Sequence, residues 1–147
     1  MFRSFSLRKE ACLIDSKKRL FKKQYAQELF RIAQGDLQSA RILAKDLKSG
    51  RPENVVFLAQ QSVEKSVKAV LVHAQIAFPL VHDLGILVAL VPDDHAPPSG
   101  FNLTELNPYA SVKRYEEGQL PLTIEEIEIA LDVSQKVLLW AQNFLKN

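Results

Sequence analysis

Cysteine, glycine and histidine are scarce in this sequence, and each shortage excludes a class of protein. Cys12 is the only cysteine among 147 residues, so the chain forms no internal disulfide and no cysteine-based zinc site. The five glycines are far apart and provide no glycine-rich phosphate loop. None of the three histidines has a glutamate three positions before it, which excludes the Glu-x-x-His pairs of di-iron bundles. We therefore predict neither a metal nor a cofactor.

Long apolar runs are missing as well. Arg8, Lys9, Glu10 and Asp15 interrupt the apolar positions near the N-terminus, so this region is not a secretory signal. No later stretch approaches the roughly 18 to 20 apolar residues that a membrane span needs. Together with the single cysteine, these features predict a cytoplasmic protein in a reducing compartment, without membrane association.

The net charge of +2 is distributed unevenly along the chain. Residues 1–24 contain eight basic and two acidic residues, a net charge of +6, whereas the remaining 123 residues have a net charge of −4. We therefore predict two regions, a basic N-terminal extension at residues 1–24 and a single domain at residues 25–147. The extension is either an electrostatic contact for nucleic acid or an acidic partner, or a solvated tail.

Helical periodicity dominates the domain. Apolar residues recur every three or four positions from Tyr25 to Leu47, and again from Val56 to Ala77, where Phe78 and Pro79 end the pattern. The polar side of the second helix contains Gln60, Gln61, Glu64, Lys65 and Lys68. In this pattern Glu64 and Lys68 form an exposed pair, stabilising the helix by about 0.3 kcal/mol.

Three further helices are predicted after the second one. Asp83 is predicted to be the N-cap of a short helix, although the β-branched residues that follow also permit a strand. A fourth helix begins at Asn102 or Asn107 and ends at Gly118. Thr123 and Glu126 have capping-box spacing before a long last helix. The fold class is therefore all-α, an antiparallel up-and-down helical bundle of four to five helices.

Four segments, in order and spacing, resemble the HEPN domain family (higher eukaryotes and prokaryotes nucleotide-binding domain). They are AQQSVEKSVKAVL at residues 59–71, VHDL at 81–84, YASVKRYEEG at 109–118 and TIEEIEIALDVSQKVL at 123–138. The resemblance spans about residues 25–146. It implies a helical bundle that forms a homodimer, often beside a minimal nucleotidyltransferase partner, and in some members a toxin–antitoxin pair.

The resemblance also implies a motif that can be checked by counting. The RNase members of the family contain an arginine, four to six residues of any type, and a histidine. After Arg114 the required positions are Gln119, Leu120 and Pro121, and none of the three histidines follows an arginine at this spacing. Lys68 and His73 come nearest, but a lysine lacks the planar fork with which arginine grips a phosphate. They remain weak catalytic candidates.

Binding is the remaining prediction for this part of the chain. An arginine beside two tyrosines can hold a phosphate and stack against a base. The candidate nucleotide- or anion-binding residues are Arg114, Tyr115, Tyr109, Lys68, Lys65, Gln61 and His82. The alternative is structural: Arg114 pairs with a carboxylate, and the tyrosines pack the end of the bundle.

Three functional hypotheses follow. The first is a non-catalytic HEPN module that binds a nucleotide, a nucleic acid such as RNA, or a nucleotidyltransferase. The second is a metal-independent endoribonuclease toxin with a degenerate site. The third is a structural adaptor between proteins.

Overall fold

Three long helices form the core of the protein, which we describe from a computed structural model covering residues 17–98, 102–116 and 121–147, with backbone alone at Arg114. Most of the predicted basic extension, residues 1–16, lies outside the described residues, as does Gly118, the predicted stop of the fourth helix. None of the described helices has both the length and the apolar content to cross a bilayer.

Helix α1 is Tyr25–Ala44, and the predicted apolar stripe is its buried face. The helix ends three residues before Leu47, which the periodicity had included. Leu47 nevertheless packs against the core, in the turn that follows the helix. The pattern therefore predicted the buried residues correctly, but it placed the end of the helix too far along the chain.

Helix α2 is Pro52–His73, with the proline in its first turn, where the missing N–H costs no hydrogen bond. Its Ser62 hydroxyl donates to the Ala33 carbonyl of α1 at 2.8 Å. Full burial of an apolar side chain such as Leu71 stabilises the fold by about 2 kcal/mol. This helix contacts both of the other long helices and is the centre of the core.

The end of α2 differs from the prediction. The apolar pattern continued through Ala77, but the helix stops at His73, and Gln75 has a φ of 58°, in the left-handed region. The Ile76 N–H donates to the Leu71 carbonyl at 2.9 Å, which closes a Schellman-type turn. A glutamine occupies the position where glycine is usual, so no residue type marked this stop.

Helix α3 is the short Leu84–Ala89 element, and the helical alternative was correct there. The Asp83 carboxylate accepts from the Gly85 N–H at 2.8 Å, as predicted for an N-cap. A side chain at Gly85 would place its Cβ 3.1 Å from that carboxylate and 3.2 Å from Thr104, so the position favours glycine.

The predicted fourth helix is instead broken into three pieces. A 3₁₀ turn at Leu103–Leu106 leads into helix α4, Asn107–Ala110, and a second 3₁₀ turn occupies Val112–Arg114. Ser111 causes the break between the last two, because its φ of −132° and ψ of −91° are not helical.

Helix α5 is Ile124–Leu145 and begins with the predicted capping box. The Glu126 N–H donates to the Thr123 hydroxyl at 3.1 Å, and the Thr123 N–H donates to the Glu126 carboxylate at 2.8 Å. The buried Ser134 hydroxyl lies 3.0 Å from the Ala59 carbonyl of α2, which fixes the pairing of the two helices.

The helix directions follow from these contacts. Helices α1 and α2 are antiparallel, because Ser62 lies beside Ala33 while Gln75, just after α2, contacts Phe21, just before α1. Helix α5 runs parallel to α2, because Ser134 lies beside Ala59 and Phe144 lies beside His73. The connection between α2 and α5 therefore returns along the bundle in place of a third long helix. The predicted all-α bundle is confirmed, and its up-and-down path includes the returning connection between the parallel helices α2 and α5.

Candidate functional site: a groove beside His82

A buried carboxylate lies in the middle of α2. Glu64 is only 3% exposed. One of its oxygens, Oε2, accepts from the Lys68 ammonium at 2.9 Å, and the other, Oε1, accepts from the Gln60 amide at 3.1 Å. Gln60 is fully buried. The prediction of an exposed Glu64–Lys68 pair was therefore wrong, because α2 is covered on nearly all sides and buries 13 of its 22 residues.

The surroundings of Glu64 keep it ionised. Burial alone would raise the pKa of the Glu64 carboxyl. The charge of Lys68 and the hydrogen bonds from Lys68, Gln60 and His82 outweigh burial, so the pKa lies below its ordinary value of 4.5. The protein therefore holds a paired negative charge inside α2 at neutral pH.

His82 is the fourth member of this cluster. Its Nδ1 lies 3.0 Å from Oε1 of Glu64, while the side chain is 70% exposed. A carboxylate accepts hydrogen bonds, so Nδ1 carries the hydrogen and Nε2 lies on the opposite side of the ring. The His82 carbonyl also accepts from the Gln60 amide at 3.4 Å. Both the backbone and the ring of His82 are thus positioned by α2.

A second set of hydrogen bonds connects the loop after α2 to α4. The Asn107 amide group donates to Asp83 at 3.1 Å, and its oxygen accepts from the Leu84 N–H at 2.9 Å. The side chain of Asn107 therefore links the start of α4 to the start of α3. This link sets the distance between the two walls of a surface groove.

We call this surface the His82 groove. Its volume is about 420 Å³, and its lining residues are Val81, His82, Asp83, Ile86, Asn107, Ala110 and Ser111. The imidazole forms one wall and the end of α4 the other. A groove of this size accommodates a small ligand or one unit of a polymer.

Arg114 comes three residues after Ser111, the last residue of the sequence that lines the groove. It belongs to the 3₁₀ turn that begins after Ser111, and Arg51 at the start of α2 secures this turn. The Arg51 guanidinium donates to the carbonyls of Lys113 at 3.1 Å and Glu116 at 3.3 Å. The role predicted for the Arg114 side chain stays a prediction.

The two tyrosines of YASVKRYEEG lie in different environments. Tyr115 is 82% exposed. Tyr109 is half-buried and lines a separate depression with Leu122 and Glu126, on the side of α4 that faces α5. Burial first, and then the charges of Glu126 and Glu53, raise the pKa of the Tyr109 hydroxyl above 10.0. The structure therefore does not bring Tyr109 into the His82 groove.

The remaining predicted residues of α2 are divided between two roles. Lys65 forms an ion pair with Asp36 of α1, so it joins two helices. Gln61 donates to the oxygen of Gln60 at 2.6 Å and extends the hydrogen-bond network around Glu64.

Lys68 and His73, the two catalytic candidates, do not lie together. Lys68 contacts Glu64, whereas the ring of His73 lies 5.8 Å from that of Phe144 at the far end of α5. Five residues of a helix correspond to a rotation of about 140° between the two side chains. Within one chain, Lys68 and His73 face different elements.

Gln60 and Glu64 are the site residues that sequence reasoning missed. The sequence contains one indication that they are buried, because each lies one position after a buried member of the apolar stripe, Ala59 or Val63. Among the described residues, no group of three His, Cys, Asp or Glu side chains is placed to hold a metal ion.

The fold and the sequence identify the family. The HEPN domain matches residues 26–144, and the chain belongs to this family of helical modules. The crystal structure of TT1696 from Thermus thermophilus has a similar fold, with a TM-score of 0.67 and 26% sequence identity. That similarity covers 82% of this chain and 98% of TT1696. A comparison with curated proteins gives no match.

Proposed function

We propose that this HEPN protein binds a nucleotide or a nucleic acid in the His82 groove and does so without catalysis. The contact between Glu64 and His82 carries the proposal. A side chain that is 70% exposed is held in one orientation by a carboxylate that is 3% exposed. A binding side chain that is already oriented before the ligand arrives lowers the entropy cost of binding.

The chemistry of the groove suits a phosphate group. Once Nε2 is protonated, His82 donates outward to a phosphate oxygen while its Nδ1–H remains bonded to Glu64. In this proposal Arg114, on the turn after the groove, supplies a second cation. The exposed ring of Tyr115 offers a surface on which a base can stack.

Titration calorimetry with ATP, GTP and a short RNA tests this proposal. We expect His82→Ala and Arg114→Ala each to weaken binding at least tenfold, as the loss of a charge-assisted contact does. His95→Ala is the matched control, because His95 is also largely exposed, at 53%, and lies outside the groove. The proposal fails if no ligand binds, or if all three variants bind like the wild type.

A homodimer, a minimal nucleotidyltransferase partner and a toxin–antitoxin pair belong to the same proposal. Family membership supports them. Light scattering of the purified protein tests the dimer: a monomer at all concentrations contradicts it. Copurification with a nucleotidyltransferase encoded by a neighbouring gene tests the partner. A protein that binds such a partner but no nucleotide or RNA would instead be the structural adaptor.

The second candidate function is a metal-independent endoribonuclease. The observation in its favour is the carboxylate-oriented His82, rather than Lys68 and His73. Such an imidazole is suited to accept a proton from a hydroxyl group, as a general base does. Incubation with RNA in the presence of a chelator tests it. Cleavage must disappear in His82→Ala and persist in His73→Ala; RNA that stays intact excludes it.

A further inference from the structure

The part of the basic extension that the structure describes is attached to the bundle. Arg19 and Phe78 form an antiparallel β-bridge, with N–H to carbonyl distances of 2.9 and 3.0 Å. The ring of Phe21 stacks on that of Phe78 at 5.3 Å, and the Gln75 amide donates to the Phe21 carbonyl at 3.1 Å. These contacts fix both the position and the direction of this stretch.

Its direction brings it towards the His82 groove. In an antiparallel pair, the residues before Arg19 run beside those that follow Phe78. The bridge therefore directs the chain before Arg19 to the side on which Pro79 and Leu80 continue, and His82 comes two residues after Leu80. At its other end the segment enters α1, so Lys17 lies before the bridge to Phe78, and Lys22 and Lys23 lie between that bridge and the helix.

Four cations of this segment are exposed, namely Lys17, Arg19, Lys22 and Lys23. Within residues 17–98, 102–116 and 121–147, no carboxylate forms an ion pair with any of them. Lys22 and Lys23 lie just before the first turn of α1, where the positive end of the helix dipole disfavours cations. The positions of these side chains therefore do not stabilise the fold, and their charge remains available to a ligand.

We propose that these four cations and the His82 groove form one continuous track for the phosphates of single-stranded nucleic acid. The inference rests on the proposed function and narrows its ligand from any nucleotide to a polyanion. A single strand fits this arrangement better than a duplex, because its unpaired bases can enter a groove of about 420 Å³. A mononucleotide would occupy the groove and leave the cations without a partner.

The experiment compares two variants of equal net charge. The first replaces Lys17, Arg19, Lys22 and Lys23 by glutamine. The matched control replaces four exposed lysines elsewhere, Lys45, Lys48, Lys136 and Lys146, by glutamine. Fluorescence anisotropy with a labelled single strand of about ten nucleotides, within the usual site size of such proteins, is measured over a range of salt concentrations. Calorimetry with ATP is carried out on the same samples.

We expect the first variant to bind the single strand at least tenfold more weakly than the wild type. The slope of log affinity against log salt should decrease by about 3, since each single-strand phosphate contact contributes about 0.7. ATP binding should stay unchanged, and the control should remain within about twofold of the wild type. A double variant, Lys22→Gln with Lys23→Gln, should show about half of that decrease in slope. It also guards against a folding defect in the larger variant.

Two results would overturn the inference while the proposed function stands. One is an equal loss of affinity in both charge-matched variants, because binding would then depend on net charge alone. The other is a duplex of the same length that binds more tightly than the single strand. Failure of the wild type to bind either ATP or the single strand would instead refute the proposed function itself.

Discussion

Glu64 and His82 are 18 residues apart in the sequence and 3.0 Å apart in space, one buried in a helix and the other exposed on a loop. Through this contact, a buried residue of α2 holds a surface side chain in one orientation. Since Lys68 balances the charge of Glu64 from within the same helix, the carboxylate can stay ionised in the core and orient the imidazole. The stability of the fold and the geometry of the groove therefore depend on the same residue.

Replacement of Glu64 by glutamine should destabilise the protein by about 3 kcal/mol, as is typical when a buried ion pair loses one partner. Lys68 would keep its charge at a position where its side chain is only 13% exposed. Urea unfolding measures the change. Asp132→Asn is the control, since the Asp132–Lys136 pair has the same spacing but is more than 60% exposed on both sides. The control should cost about 0.5 kcal/mol or less, and equal losses would contradict the buried pair.

Acid should weaken the fold through the same carboxyl. The pKa of Glu64 is lowered in the folded protein, so its contribution to stability is present above the unfolded value near 4.5. That contribution disappears as the pH falls through the lower folded pKa. Urea unfolding at a series of pH values below 5 should show a steeper loss in the wild type than in Glu64→Gln. Parallel curves for the two proteins would refute this assignment.

Replacement by alanine should affect two buried serines of α2 differently. Ser62→Ala removes a hydrogen bond to Ala33 and should destabilise the protein by about 1 kcal/mol. The Ser66 hydroxyl is buried without a hydrogen-bond partner among the described residues. Ser66→Ala should therefore be neutral or stabilise by up to about 1 kcal/mol. Thermal unfolding of both variants checks the pair, and a large loss for Ser66→Ala would reveal a partner for its hydroxyl.

Tyr109 should ionise only in strongly alkaline solution. Burial, followed by the charges of Glu126 and Glu53, raises its pKa, so the folded state favours the protonated phenol. Ultraviolet titration of tyrosinate should lose a late step in Tyr109→Phe. Glu126→Gln should move that step to lower pH, while glutamine can still complete the capping box with Thr123. A late step that survives in Tyr109→Phe would contradict the burial of this hydroxyl.

Elements with local signals were predicted well from the sequence. The Asp83 cap and the capping box of Thr123 and Glu126 are present as predicted, because each depends on residues two or three positions apart. The end of α2 at His73 was not predictable in this way. Its turn depends on Gln75 adopting a positive φ, a conformation that no residue type in this stretch predicts.

Sequence reasoning named some residues of the candidate groove and missed others, because the contacts between them join distant parts of the chain. His82 and Lys68 were identified as candidates, but Glu64 was assigned to an exposed face. An amphipathic pattern assumes one buried side, whereas α2 is covered by α1, by α5 and by the returning chain. Only the three-dimensional arrangement places His82 against Glu64 and separates Tyr109 from the groove.

Because α2 and α5 run parallel, the chain between them must return along the whole bundle. The return path along the bundle measures about 33 Å, the length of α2, which about ten extended residues would span. The connection between His73 and Ile124 contains 50 residues. The connection is therefore far longer than the return path requires, and its additional residues form the walls of the His82 groove. The same segment also supplies buried core residues such as Leu84, Leu87 and Leu106, so the groove walls and the three long helices pack as one unit. A change in one wall would therefore also disturb the packing against α2.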